Sequence, residues 1–128
     1  GLLILTNDGA LSQHIAHPSH KVWKTYEAEV NAAIGPEELK QLRNGVVIDG
    51  RRTAPAEITL LKQNRSASLV EVRIHEGRNR QVRKMFEAVG CKVTYLQRTA
   101  IGNIKLGRLH EGGYRKLTKE EIEYLKNC

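Results

Sequence analysis

The chain has 128 residues, with 21 Lys and Arg against 14 Asp and Glu and a formal charge of +7. This length suits one domain with its own core, and 40% hydrophobic with 27% charged residues excludes disordered, collagen-like and coiled-coil chains. No apolar run approaches the roughly 18 residues of a membrane span; aromatics at 5% argue against a multi-aromatic stacking platform, while the basic balance points to a polyanion, nucleic acid first.

In chain order, Leu2-Leu3-Ile4-Leu5 reads as a buried strand ended by the turn Thr6-Asn7-Asp8-Gly9. A buried strand opening directly at Gly1, with no Met before it, is expected in a piece of a longer protein. Residues 10–16 predict a short helix ending before Pro18, and Lys21 to Val30 a strand with Val22, Lys24, Tyr26, Ala28 and Val30 on one face. Pro36 opens a helix that Asn44-Gly45 closes. Val46 to Ile48, the Asp49-Gly50 turn and the residues after it predict a hairpin, with Pro55 making its second arm irregular.

Leu69 to His75 alternates, with Val70, Val72 and Ile74 toward the core. Residues 78–89 predict an amphipathic helix stopped by Gly90, followed by strands from Lys92 to Ala100, Asn103 to Leu109 and Tyr114 to Leu117. Thr118 and Glu121 form a capping box for a last helix over 119–127. Strands and helices mix without strict alternation, so the expected fold is α+β, a mixed and mainly antiparallel sheet flanked by helices, in one domain.

The chemistry concentrates between His75 and Gly90. Helical spacing puts Val82, Met85, Phe86 and Val89 on one apolar stripe, with Asn79 and Arg83 on its flank and Arg80 and Lys84 roughly opposite. A guanidinium at the edge of a core needs a partner, so Arg83 is expected to meet a carboxylate bidentately. Arg78 and Asn79 fall in the expected first turn, where free N–H groups favour anions. A solvated helix face with pairing such as Lys84 to Glu87 accounts for Arg80 and Lys84 as well as phosphate binding does. Lys24 and Tyr26 stand on an otherwise apolar strand face, where a Lys must snorkel, find an anion or reach a ligand.

Other chemistries have thin support. Cys91 and Cys128 form no Cys-x-x-Cys pair, which argues against a zinc ribbon or disulfide scaffold and suits a reducing cytoplasm. His14, His17 and His20 recur at loose helical spacing, but Pro18 interrupts them, so surface or capping roles outweigh a metal site.

Taken in order, GLLILTNDG, HPSHKVWKTY, TAPAEITLL, HEGRNRQVRKMFEAVG and LQRTAIGNIKLGRL resemble the ribosomal pseudouridine synthases, the family of small-subunit pseudouridine synthase A and the related large-subunit enzymes. The resemblance implies conversion of a uridine in ribosomal RNA to pseudouridine, without metal or organic cofactor: the N-glycosidic bond breaks and the base rejoins the sugar through carbon 5. It makes Tyr26 the aromatic at the base and Arg83 the partner of the catalytic Asp, with Val82 helping to wall the pocket. Lys24, Arg78, Asn79, Arg80 and Lys84 are expected to hold RNA, with Arg73, Arg98, Lys105 and Arg108 as further phosphate candidates.

The family's Asp belongs to an Arg-Leu-Asp stretch that this sequence does not contain, and Asp8 matches the following turn instead. The chain is therefore expected to be the C-terminal portion of a catalytic domain, inactive alone. Its upstream Asp segment and the family's S4-like RNA-binding domain are both missing. The alternatives are a basic RNA-binding domain without chemistry and, on His14, His17 and His20 alone, a metallo-hydrolase.

Overall fold

Alternation of apolar and polar side chains builds the centre of the molecule, whose computed structural model describes residues 1–17 and 21–127. The elements are α1 (Gly9–Ala16), β1 (Lys24–Val30), α2 (Pro36–Asn44), β2 (Val47–Ile48), β3 (Arg51–Arg52), β4 (Glu57–Gln63), β5 (Ser68–Ile74), α3 (Gln81–Ala88), β6 (Val93–Ile101), β7 (Ile104–Lys105) and α4 (Lys119–Asn127). Five strands form one sheet in the order β4-β5-β1-β6-β7, every neighbouring pair antiparallel, and β2 with β3 forms a separate hairpin. The expected α+β class holds, with the sheet antiparallel throughout. No helix among the described residues is long and apolar enough to cross a membrane.

Ala28 and Val30 of β1 and Val70, Val72 and Ile74 of β5 point to one face, where Val82, Met85 and Phe86 of α3 and Leu39 and Leu42 of α2 complete the main core. Each fully buried large side chain here contributes about 1.5–3 kcal/mol. A second cluster gathers Leu2, Val22, Ile101 and Ile104 around Leu125 of α4. The capping box forms as expected: the Thr118 amide donates to Glu121 Oε1, and the Glu121 amide returns a bond to Thr118 Oγ1.

Several expectations need correction. Residues 2–5 are not a buried strand: Leu2 and Ile4 face the second cluster, while Leu3 and Leu5 are 67% and 85% exposed. The strand from Lys21 begins only at Lys24, because Lys21 takes a left-handed φ of 47°. The hairpin's second arm stops at Arg52. Beyond it the Thr53 amide still reaches the Val46 carbonyl, but the Ala54 amide goes to Glu76 Oε1, Pro55 has no N–H and the Ala56 amide goes to the Arg43 carbonyl, so the pairing ends there.

The helix expected over 78–89 starts at Gln81, since Arg80, its N-cap, sits at φ 50° and ψ 36°. Arg78 and Asn79 therefore precede the helix rather than occupy its first turn. Of residues 103–109 only Ile104–Lys105 form a strand, because Gly107 at φ 56° turns the chain away. Residues 114–117 form none: Tyr114 is 91% exposed, and Arg115 turns instead to the Glu121 carboxylate.

Candidate functional site

Two basic constellations lie at the end of the sheet where β1 begins and β5 ends. The first stands on β1. Tyr26 faces Val72 of β5 on one side and Arg98 of β6 on the other, and its partly buried ring packs against the main core. The Tyr26–Arg98 alignment depends on an irregularity. The register shifts between Thr25 and Tyr26, so that Thr25 pairs with Ala100, Tyr26 pairs with Arg98, and Thr99 is left over. This bulge turns Arg98 to the same face as Tyr26.

Lys24 lies one pleat away on that face, between Ile74 and Ile101. Partial burial pulls its ammonium below the ordinary lysine value, and the charge of Arg98 adds to the effect. A β-carbon at Gly77 would come within 3.8 Å of Lys24 Nζ, so this cation sits beside the loop that leads into α3. Leu2 closes the group from the outer edge of β6. Its amide donates to the Arg98 carbonyl and its carbonyl accepts from Arg98 Nε, both at 2.8 Å.

The second constellation mounts the β2–β3 hairpin on α3. Arg78 Nη2 donates to the carbonyls of Ile48 at 2.6 Å and Arg51 at 3.2 Å, and Lys84 Nζ pairs with Asp49 at 2.7 Å rather than with Glu87. The hydrogen bond from Lys84 holds the Asp49 carboxyl below its usual range. Beneath them Gln81, only 3% exposed, donates to Glu76 Oε1 and accepts from the Arg78 amide. Asn79 and Arg80 are exposed.

Arg83 lies apart from both groups. Its Nη1 donates to the Val93 carbonyl at 3.3 Å, and the expected carboxylate is not among its bonds. Val93 pairs with Val30, four residues along β1 from Tyr26, or about 13 Å of strand. Val82 is buried in the core. Arg73 projects from the opposite face of the sheet, paired with Glu57 at 2.7 Å and lying 5.5 Å from the Trp23 ring. His20 lies outside the described residues, and no group of three metal-ligating side chains occurs among those described.

Sequence reasoning thus brings Lys24 and Tyr26 together but offers Arg98 only as a phosphate candidate, not as the neighbour of Tyr26. Arg98 needs the bulge to face Tyr26, and no pattern in the sequence announces a bulge. Arg51 and Arg52, both exposed, are further cations, and their place directly after the Asp49-Gly50 turn is the sequence signal for them.

A small antiparallel α+β domain with a basic, single-tyrosine face is the class of protein these features define. The chain belongs to the RNA pseudouridylate synthase family, whose family model matches residues 1–88. It is 41% identical over 128 residues to ribosomal large subunit pseudouridine synthase B of Bacillus subtilis (strain 168), covering 98% of this chain and 52% of the relative. It is 40% identical over 126 residues to ribosomal small subunit pseudouridine synthase A of Vibrio vulnificus (strain CMCP6), covering 96% and 53%. A pseudouridylate synthase crystal structure superposes with a TM-score of 0.86 at 36% identity, over 94% of this chain and 52% of that one. The chain spans about half the length of the curated relatives it matches.

Proposed function

We propose that this chain is the C-terminal portion of a catalytic domain that isomerises a uridine of ribosomal RNA to pseudouridine in the cytoplasm, without metal or organic cofactor. The observation that carries this reading is family membership combined with the rung of Tyr26 and Arg98 beside Leu2. Tyr26 is the aromatic on the core face of β1, and one flipped uracil needs one ring to stack on. Flipping a base costs a few kcal/mol, which contacts to the flanking backbone offset. Lys24, Asn79 and Arg80 supply such contacts. Arg78 and Lys84 serve the same RNA surface by holding the hairpin in place.

The acid that starts the reaction comes from a segment upstream of Gly1. Leu2 is fixed to Arg98 by two bonds, so a residue a few positions earlier enters the site beside Tyr26. The family pattern makes Arg83 the pairing partner of that acid; in this chain its guanidinium donates to the Val93 carbonyl, about 13 Å of strand from Tyr26. Alone, the chain is inactive.

The test is to extend the chain through its upstream acid and assay uridine isomerisation on ribosomal RNA. Pseudouridine forms with the acid and not with its Asn replacement. A folded, extended protein that binds RNA yet makes no pseudouridine overturns the reading in favour of a non-catalytic RNA-binding domain.

A further inference from the structure

We infer that the β2–β3 hairpin and the residue that caps α3 grip the RNA backbone together, through Arg51 of the hairpin and Arg80 of the cap, with Arg78 and Lys84 serving as the hairpin's mount. The inference rests on the RNA substrate proposed above. The hairpin stands outside the main sheet, and two-stranded ribbons are marginal by themselves. This one packs Ile48 into the main core, and its turn and two side-chain mounts hold it further. Asp49 and Gly50, at φ 51° and 77°, supply the two left-handed residues of a tight type I′ turn. The Arg78 guanidinium bridges the two arms through Ile48 and Arg51, and Lys84 holds the tip at Asp49.

Those contacts consume the hairpin's only carboxylate and leave cations over. Arg51 and Arg80 are exposed, and neither guanidinium has a partner among the described residues. Arg78 connects them, with its side chain on the Arg51 carbonyl and its backbone two residues before Arg80. Its own Nη1 is buried without an acceptor, and the one Asp49 carboxylate answers both Lys84 and the charge of Arg78, so cations outnumber acids here.

The backbone of Arg80 points the same way. A φ of 50° is uncommon for any residue but glycine, Asn or Asp, yet this position carries a long cation whose guanidinium has no hydrogen bond or ion pair among the described residues. An exposed arm rather than a cavity, bearing planar donors, suits the spaced phosphates of a nucleic-acid backbone better than a single small anion.

The experiment uses the extended protein and a ribosomal RNA fragment, with dissociation constants measured across a salt series. Arg51→Ala and Arg80→Gly each reduce the log–log salt slope by roughly 0.7–0.9, and the double variant by about twice that. Arg80→Gly also keeps or raises the Tm, since glycine accepts the left-handed backbone, whereas Arg78→Ala lowers it. Unchanged slopes in both single variants overturn the inference. So does polyglutamate binding as tightly as RNA with the same loss on substitution, which makes the arm a protein-docking surface. The isomerisation assay separates the two proposals. Lost slope without pseudouridine leaves the arm standing and sinks the enzyme reading, and pseudouridine with full slope does the reverse.

Discussion

Arg98 and Leu2 hold each other in both directions, amide to carbonyl and guanidinium to carbonyl, at 2.8 Å in each case. The bonds fasten the first residues of the chain to the rung that carries Tyr26. Gly1 reinforces the fit, because a β-carbon there would lie 2.5 Å from the Arg98 backbone nitrogen. Replacing Arg98 with Met removes the side-chain bond and keeps most of the stem, at a cost of about 1 kcal/mol. Amide exchange at Leu2 is expected to quicken while β5 stays protected. In the extended protein, kcat falls with KM nearly constant, as fits a positioning residue. Unchanged exchange at Leu2 would show that the clasp holds nothing in solution.

Tyr26 gives a cleaner separation of binding from chemistry. Tyr26→Phe keeps the ring against the core and against a stacked base, so stability and RNA affinity are expected to hold. If the hydroxyl assists proton removal at carbon 5, turnover drops on the order of 100-fold or more. Single-turnover rates and a binding titration on the same preparation decide it, and equal losses in both argue against a role at the base.

How far the sequence foretold this arrangement depends on the range of the interaction. Strict alternation from Leu69 to Ile74 and the apolar stripe of Val82, Met85 and Phe86 are local patterns, and both led to the right core faces. The capping box at Thr118 and Glu121 was legible for the same reason. Errors arose where a distant partner overrode the local pattern. Leu2 to Leu5 looked buried on both sides, yet its one backbone clasp is to Arg98, far along the chain. Arg78 looked helical, but the carbonyls of Ile48 and Arg51 draw it away. For Lys84 the local pattern offers Glu87 or a phosphate, whereas its carboxylate, Asp49, is 35 residues distant.

Helix α4 carries an acid-sensitive cap. Glu121 receives Arg115 through both carboxylate oxygens and the Thr118 amide through one, and these bonds hold its pKa at about 2 against an ordinary 4.5. A depressed carboxylate pKa contributes stability that is present above the unfolded value and lost as pH falls through the folded one. Between about pH 4.5 and 2, α4 is therefore expected to loosen from Leu117 and Ile104. Amide exchange in α4 across that range measures it. Glu121→Gln should flatten the response, and an unchanged response in that variant would assign the loosening to another group.

Lys24 is the place where stability and binding should part. Its ammonium is partly buried and near Arg98, and both hold its pKa below the ordinary 10.5. For a cation with a lowered folded-state value the sign is unfavourable: the penalty is full below that value and is relieved as pH rises toward 10.5. Lys24→Met removes the charge and keeps the stem, so it is expected to be at least as stable as the parent at pH 7. That advantage shrinks as the pH rises toward 10.5 and the parent's ammonium gives up its proton. The same variant should bind RNA more weakly, with a salt slope lower by roughly 0.7–0.9 if the ammonium meets a phosphate. Denaturant titrations at the two pH values and a salt series at neutral pH measure the two halves separately. A variant that is less stable at pH 7 and binds RNA unchanged would make Lys24 a packing residue of the β1 face and nothing more.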